Sequence, residues 1–248
     1  QHYMKAIAMI PARYAASRFP AKLLQDLGGK PVIQRTYEAT IASGLFSEVY
    51  VVTDHQAIFD LIQKMGGTPM MSQGEFECGS DRIAAAAAGI RADIIVNVQG
   101  DEPFIDTESL RNLLAVFTAD AQKKISLASL MYPIYEQEEI DTPNAVKVIV
   151  NLKDQALYFS RAAIPFPREG SGVQYFRHKG VYAFRKEALE AFPKMVMGPL
   201  EKAEKIEAIR YLEHGHAIQM VRTTHVGIGI DVPEDLEKAR REWGGSSV

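Results

Sequence analysis

The sequence predicts an α/β protein built on a mainly parallel sheet with helices on both faces. Three runs, 6–10, 49–53 and 94–98, are short and almost wholly apolar. Strands of a parallel sheet look like this, because neither of their faces meets water. Helix-patterned segments separate these runs, and the strand–helix alternation is that of a doubly covered sheet. After about residue 120 the pattern changes to closely spaced strand-like stretches. These read as mainly antiparallel additions, so the whole sheet is mixed.

In order along the chain, residues 6–10 form a buried strand that Pro11 ends. A loop follows with Arg13, Ser17, Arg18, Pro20 and Lys22. Residues 31–43 predict a helix, with Pro31 suited to its first turn and Val32, Ile33, Tyr37 and Ile41 on or near one face. Strand 49–53 leads into a helix over 55–65 that stops at Gly66-Gly67. An alanine-rich helix over 80–89 precedes strand 94–98, which runs into Gln99-Gly100-Asp101-Glu102-Pro103 and a helix over 107–117. The second half predicts strands over 125–131, 145–151, 156–161, 174–185 and 217–224, and helices over 186–192, 199–214 and 233–243. With no repeat, low-complexity stretch or clear linker, residues 1–248 read as a single domain.

Composition narrows the function. The net charge of −3 gives no electrostatic footprint for a nucleic acid. An anionic ligand must therefore be met by a few placed cations. Cys78 is the lone cysteine, so no intrachain disulfide forms, which fits a reducing, cytoplasmic setting. No apolar run approaches the ~20 residues that span a bilayer. Gln1-His2-Tyr3 lacks the apolar core of a signal peptide, and Met4 reads as the natural first residue.

Ligands of open α/β sheets bind beyond the carboxyl ends of the strands. Two segments there carry chemistry. The loop from Pro11 to Lys22 combines small residues, which admit close backbone approach, with Arg13, Arg18 and Lys22, which suit a polyphosphate. The alternative is a solvated loop. It is neither a Walker A loop nor a dinucleotide fingerprint, and Gly28-Gly29-Lys30 reads as a turn. Asp101, at the exit of a buried strand, suits a Mg²⁺ ligand or a cap on the next turn. Asp231 is a second metal candidate, although Asp231-Val232-Pro233-Glu234 also reads as a capping box. Cys78 has no nucleophile–base pattern around it, His214-Gly215-His216 reads as a turn, and no zinc pattern occurs.

Taken together and in order, these segments resemble the 3-deoxy-manno-octulosonate (Kdo) cytidylyltransferases. The motifs are Ile10-Pro11-Ala12-Arg13-Tyr14, Ser17-Arg18-Phe19-Pro20-Ala21-Lys22, Gly79-Ser80-Asp81-Arg82 and Asn97-Val98-Gln99-Gly100-Asp101-Glu102-Pro103. Later come Pro143-Asn144-Ala145-Val146-Lys147-Val148, Tyr158-Phe159-Ser160-Arg161-Ala162, Arg177-His178-Lys179-Gly180-Val181-Tyr182 and Gly229-Ile230-Asp231-Val232-Pro233-Glu234-Asp235. The resemblance implies a three-layer, Rossmann-like nucleotide-diphospho-sugar transferase fold with a mixed, mainly parallel sheet. It implies CTP and Kdo as substrates, Mg²⁺ as cofactor, and a homodimer built from the second half. Arg13 and Lys22 would hold the triphosphate with Ala12 and Ser17 beside it. Ser80, Arg82 and Gln99 would surround cytosine and ribose, and Asp101 and Asp231 would hold the metal. Arg161, His178, Tyr182 and Glu207 would line the sugar site.

The reaction so implied is attack of the sugar's anomeric hydroxyl on the α-phosphate of CTP, with pyrophosphate leaving, a step in lipopolysaccharide biosynthesis. Three positions depart from the family pattern, the first being Cys78 where the family has a serine. Ser80 replaces a threonine and keeps its hydroxyl. Ala208 replaces a glutamine, which leaves another acidic sugar, sialic-type or a modified Kdo, as the alternative acceptor. A non-catalytic nucleotide-binding module is the remaining rival.

Overall fold

The computed structural model describes residues 3–15 and 18–245. The chain forms two compact units, one of Gln1–Arg111 with Gly227–Val248 and one of Asn112–Val226. In the first unit lie β1 (Ala6–Ala12), β2 (Asp26–Leu27), β3 (Lys30–Pro31), α1 (Val32–Ala42), β4 (Val49–Thr53), α2 (Gln56–Lys64), β5 (Thr68–Met71), α3 (Gly79–Ala86) and β6 (Ile94–Val98). Helix α4 (Thr107–Ala119) carries the chain into the second unit. Strand β1 pairs in parallel with β4 on one side and β6 on the other, and β5 pairs in parallel outside β4. All residues of β1 and β6 are buried, which explains their unbroken apolar composition. Because these strands are parallel, their carboxyl ends share one edge. The residues after Ala12, Thr53 and Val98 therefore meet there.

Several local expectations change. Pro11 does not end β1; the ladder with β4 continues through Pro11↔Val52 to Ala12↔Thr53. Pairing with β6 has already stopped at Met9, and the Pro11 carbonyl faces Gly100, beyond that strand's end. The missing N–H of proline thus costs no ladder bond. Ile41 of α1 is exposed, whereas Thr36 and Thr40 are fully buried. The Thr36 hydroxyl donates to the Gly100 carbonyl at 2.8 Å, so a polar residue on the inner face fastens the exit of β6. Gly28 and Gly29 form the predicted turn, with φ of 64° and 92° between β2 and β3. Strand β5 lacks a sequence signal because it is four residues long and contains Pro69.

The second unit contains β7 (Leu127–Ile134), α5 (Gln137–Asp141), β8 (Lys147–Val150), β9 (Ala156–Ser160), β10 (Tyr175–Arg185), α6 (Lys186–Ala191), α7 (Pro199–Glu204), α8 (Ala208–Glu213) and β11 (Gln219–Arg222). Strand β7 pairs antiparallel with β10 and parallel with β11, and β8 pairs antiparallel with both β10 and β9. The architecture is α/β, with parallel pairing throughout the first unit's main sheet and mixed pairing in the second. Strand β10 bulges between Lys179 and Tyr182. The predicted helix over 199–214 is broken: Lys205 adopts φ 57°, ψ 47° and separates α7 from α8. The break leaves the Glu204 and Lys205 carbonyls to accept from Arg161 Nε at 2.7 Å and Nη2 at 3.3 Å.

Candidate active site

At the carboxyl edge of the first unit's sheet lies a cavity of about 260 Å³. Its walls are Pro11 within β1 and Arg13 just after it, Lys22 and Leu23 from the following loop, Phe76 to Gly79 and Arg82 at the start of α3, and Gln99 to Asp101 after β6. Two glycines make room for it. A Cβ on Gly100 would stand 3.0 Å from the Pro11 carbonyl and 3.2 Å from Ile33 and Leu23; one on Gly79 would stand 3.0 Å from the Pro11 ring.

Lys22 is presented by a short 3₁₀ turn, Lys22–Leu24, entered through Ala21 in the left-handed region at φ 53°. Buried Leu23 anchors that turn. Lys22 Nζ donates to Asp101 Oδ2 at 2.8 Å, with both side chains partly exposed. Asp101 therefore does not cap the next turn; its carboxylate faces the cationic loop. The Asp101 carbonyl accepts from Ile230 N at 2.9 Å, which brings Asp231 beside it in the chain's fold. The Asp231 carboxylate accepts from Arg18 Nη1 at 3.2 Å. The capping-box alternative is corrected: Asp235 Oδ2 accepts from Asp231 N and Val232 N, so the cap comes from Asp235 and leaves the Asp231 side chain free of that task. Ser17 lies outside the described residues.

On the opposite wall, Arg82 is buried, donates to Ser72 Oγ at 3.1 Å and lies 4.9 Å over the Phe76 ring. Burial pulls its pKa down; Asp54, 3.8 Å away, works against that shift and Arg13 adds to it. The two arginines thus place positive charge on the cavity. Gln99 Nε2 donates to Asn97 Oδ1 at 3.0 Å, and Asn97 Nδ2 donates to Ser80 Oγ at 3.1 Å. Ser80 is fully buried and stands behind the wall rather than on it, acting on Gln99 through Asn97. Ala12 is likewise buried, as the last residue of β1. Phe76 and Glu77 are wall residues that carry no periodic or motif signal, and Cys78 joins them from the first position of the motif that continues through Gly79.

In the second unit, Arg161 Nη1 also donates to the Pro143 carbonyl at 2.9 Å, so three of its five N–H donors hold backbone. Its backbone N–H and the Ser160 hydroxyl both donate to Glu204 Oε1. His178 is buried between Phe159 and Tyr182, ring centroids 4.8 Å and 5.3 Å away. The Ser129 hydroxyl donates to the Val181 carbonyl at 2.7 Å and sits 2.8 Å from His178 Nε2, which assigns the ring proton to Nε2. Burial drives the His178 pKa down to about 3, so the ring is neutral at ordinary pH. Tyr182 is buried, Glu207 is half-buried just before α8, and Ala208 is buried at its first position.

The donor set suits a hard cation that keeps part of its shell for substrate. Among the described residues, no group of three or more His, Cys, Asp or Glu side chains could hold a metal. Two carboxylates joined across the Ile230–Asp101 bond, beside cations for phosphate, match Mg²⁺, which takes one or two carboxylates together with phosphate oxygens.

A family model described as cytidylyltransferase matches residues 7–219. The chain is 59% identical over 238 residues to a 3-deoxy-manno-octulosonate cytidylyltransferase of Flavobacterium johnsoniae, covering 96% of this chain and 98% of that protein. It is 56% identical to the protein of the same name from Christiangramia forsetii, covering 96% of each. Its fold is similar to that of a CMP:2-keto-3-deoxy-manno-octonic acid synthetase complexed with CTP, at TM-score 0.90 and 36% identity over 98% of this chain and 99% of that one. A 4-diphosphocytidyl-2C-methyl-D-erythritol synthase of Anaerococcus prevotii shares the fold at TM-score 0.65 and 15% identity over 97% of this chain and 99% of that one.

Proposed function

The chain belongs to the cytidylyltransferase family, and on that premise we propose that it transfers CMP from CTP to the anomeric hydroxyl of Kdo, giving CMP-Kdo and pyrophosphate for lipopolysaccharide biosynthesis. The observation that carries this is the facing of Lys22 and Asp101 at 2.8 Å on the wall of a cavity that also bears Arg13 and Arg82. Phosphoryl-type transfer needs positioning and charge neutralisation more than covalent help. An ammonium has three donors; one bond to Asp101 leaves Lys22 two for phosphate oxygens. Arg13 offers its forked donors to the same triphosphate, with Ala12 preceding it at the end of β1.

Arg82 and Gln99 hold cytosine and ribose, Ser80 keeping Gln99 in place through Asn97. Asp101 and Asp231 hold Mg²⁺, which when bound neutralises charge developing at the α-phosphate. The sugar oxygen forms the new bond to that phosphorus as the bond to pyrophosphate breaks, and the hydroxyl proton passes to water. Neutral His178, with Tyr182, Arg161 and Glu207, lines the sugar site. The two units act as one nucleotidyltransferase, the first for nucleotide and the second for sugar and dimerisation; the family match runs across both.

A homodimer would have exposed large apolar side chains of the second unit to bury, among them Tyr135, Leu152, Leu157, Phe166 and Val196. No described helix is long and apolar enough to cross a membrane, and the reading places the enzyme in the cytoplasm without a nucleic-acid partner. The test is pyrophosphate release from CTP and Mg²⁺ with Kdo, without it, and with a panel of sialic-type and modified acids. Kdo-dependent release is expected. Release only with another acid would move the acceptor, with Ala208 as the first position to exchange. CTP binding without release would favour a binding module.

A further inference from the structure

The corner after β4 reaches the cavity by two routes that the catalytic reading leaves unused. Asp54 Oδ1 accepts from Tyr14 N at 3.0 Å, one residue past Arg13. Asp54 Oδ2 lies 3.8 Å from Arg82 Nη2. One carboxylate therefore bridges the cationic loop and the arginine on the facing wall. The next residue continues the grip: the His55 ring stacks on Tyr14, centroids 3.8 Å apart and planes 11° apart. His55 is itself fixed, since its N–H donates to Thr53 Oγ1 at 3.2 Å and its Nδ1 accepts from Ala57 N at 3.2 Å as the cap of α2. Arg82 is tied to the same corner, because its partner Ser72 donates its N–H to the Thr53 carbonyl at 2.7 Å.

We propose that Asp54 and His55 are positioning residues that clasp the Arg13–Tyr14 segment to the sheet edge and hold Arg13 and Arg82 at a fixed separation for the nucleotide. Two like-charged guanidinium groups on one cavity repel each other and pay ordering entropy when they converge on a ligand. A carboxylate shared between the loop backbone and Arg82 offsets both effects before the ligand arrives. His55 adds a flat aromatic face to a loop residue that is 39% exposed. The inference rests on the cavity being the nucleotide site, but the clasp itself is testable without any substrate.

The test combines kinetics with proteolysis. In Asp54→Ala, the KM for CTP should rise roughly tenfold, with kcat within about twofold and the KM for the sugar acid unchanged. Trypsin should cut after Arg13 and Arg18 in nucleotide-free protein roughly fivefold faster, at an unchanged thermal midpoint. His55→Phe, which keeps the stack, should stay near wild type in cutting rate. His55→Asn, which keeps the α2 cap and loses the stack, should cut faster. Should Asp54→Ala not fold, Asp54→Asn and the two His55 variants carry the same comparison. Cutting rates equal to wild type in Asp54→Ala or Asp54→Asn and in His55→Asn would overturn the clasp. A wild type that releases no pyrophosphate with any acid would overturn the functional reading alone, and the tryptic rates would still decide this one.

Discussion

His178 illustrates how burial sets the chemistry of a single side chain. Its pKa drops from 6.5 to about 3 because the charged ring would lose its water without gaining an anion. The unfolded chain therefore binds a proton below pH 6.5 that the folded chain refuses, and stability must fall as pH drops from 6.5 toward 3. The slope from this group approaches about 1.4 kcal/mol per pH unit inside that window and vanishes above it. Urea midpoints across this range for wild type and His178→Gln should converge as pH falls; parallel curves would contradict the assignment. Asp101→Asn tests a residue of the opposite kind, partly exposed and bonded to Lys22. The substitution keeps shape and removes charge, so turnover should drop roughly a hundredfold or more with an unchanged circular dichroism spectrum. Near-normal turnover would remove Asp101 from the metal set.

Among the elements, the corner between α7 and α8 holds a buried ion pair. Arg210 Nε and Nη2 donate to the two Glu201 oxygens at 2.8 Å each, with 1% and 3% of the side chains exposed. Glu213 adds a cap by accepting from Leu200 N and Glu201 N. This corner orients Glu207 and supplies the carbonyls that Arg161 grips. Glu201→Gln removes the buried carboxylate charge that Arg210 Nε and Nη2 both bond and should cost about 3–5 kcal/mol in chemical denaturation. The Glu201→Leu, Arg210→Met double variant should recover most of it, since desolvation of both charges is then removed. A double variant as unstable as the single would mean that packing, rather than charge, dominates the corner. At β6 the tolerance is steric. Gly100→Ala sets a methyl 3.0 Å from the Pro11 carbonyl, and backbone cannot yield as a side-chain tip can. That variant should lose about 1–3 kcal/mol and weaken CTP binding; a fully stable variant with unchanged affinity would show that the wall has slack.

For the whole molecule, the expected mass in sedimentation equilibrium is twice the chain's 27.5 kDa. The apolar side chains left exposed in the second unit, Leu157 and Phe166 among them, are the ones whose change to Lys should shift the equilibrium toward monomer. A wild type that sediments as a monomer at micromolar concentration would refute the dimer. The modest net charge of −3 means that nucleotide attraction comes from local placement, not from the molecule's overall field.

The sequence by itself determined the strands β1, β4 and β6 and the segments at their carboxyl ends. Strand burial and strand-end position are local properties, written as apolar runs followed by Arg13, Lys22 and Gln99-Gly100-Asp101. Its motifs also identified the family. Only the tertiary structure decided which groups meet. Arg18 and Asp231 are 213 positions apart, and Lys22 and Asp101 are 79 apart; no periodicity encodes such pairs. The same holds for Ser80 standing behind the wall, for Asp54 bridging two walls, and for the break at Lys205, where Arg161, 44 residues earlier, takes the Lys205 carbonyl that a continuous helix would have used. Local propensity fixes what a segment prefers, and the long-range hydrogen bonds that burial makes obligatory settle where its side chains and carbonyls finally point.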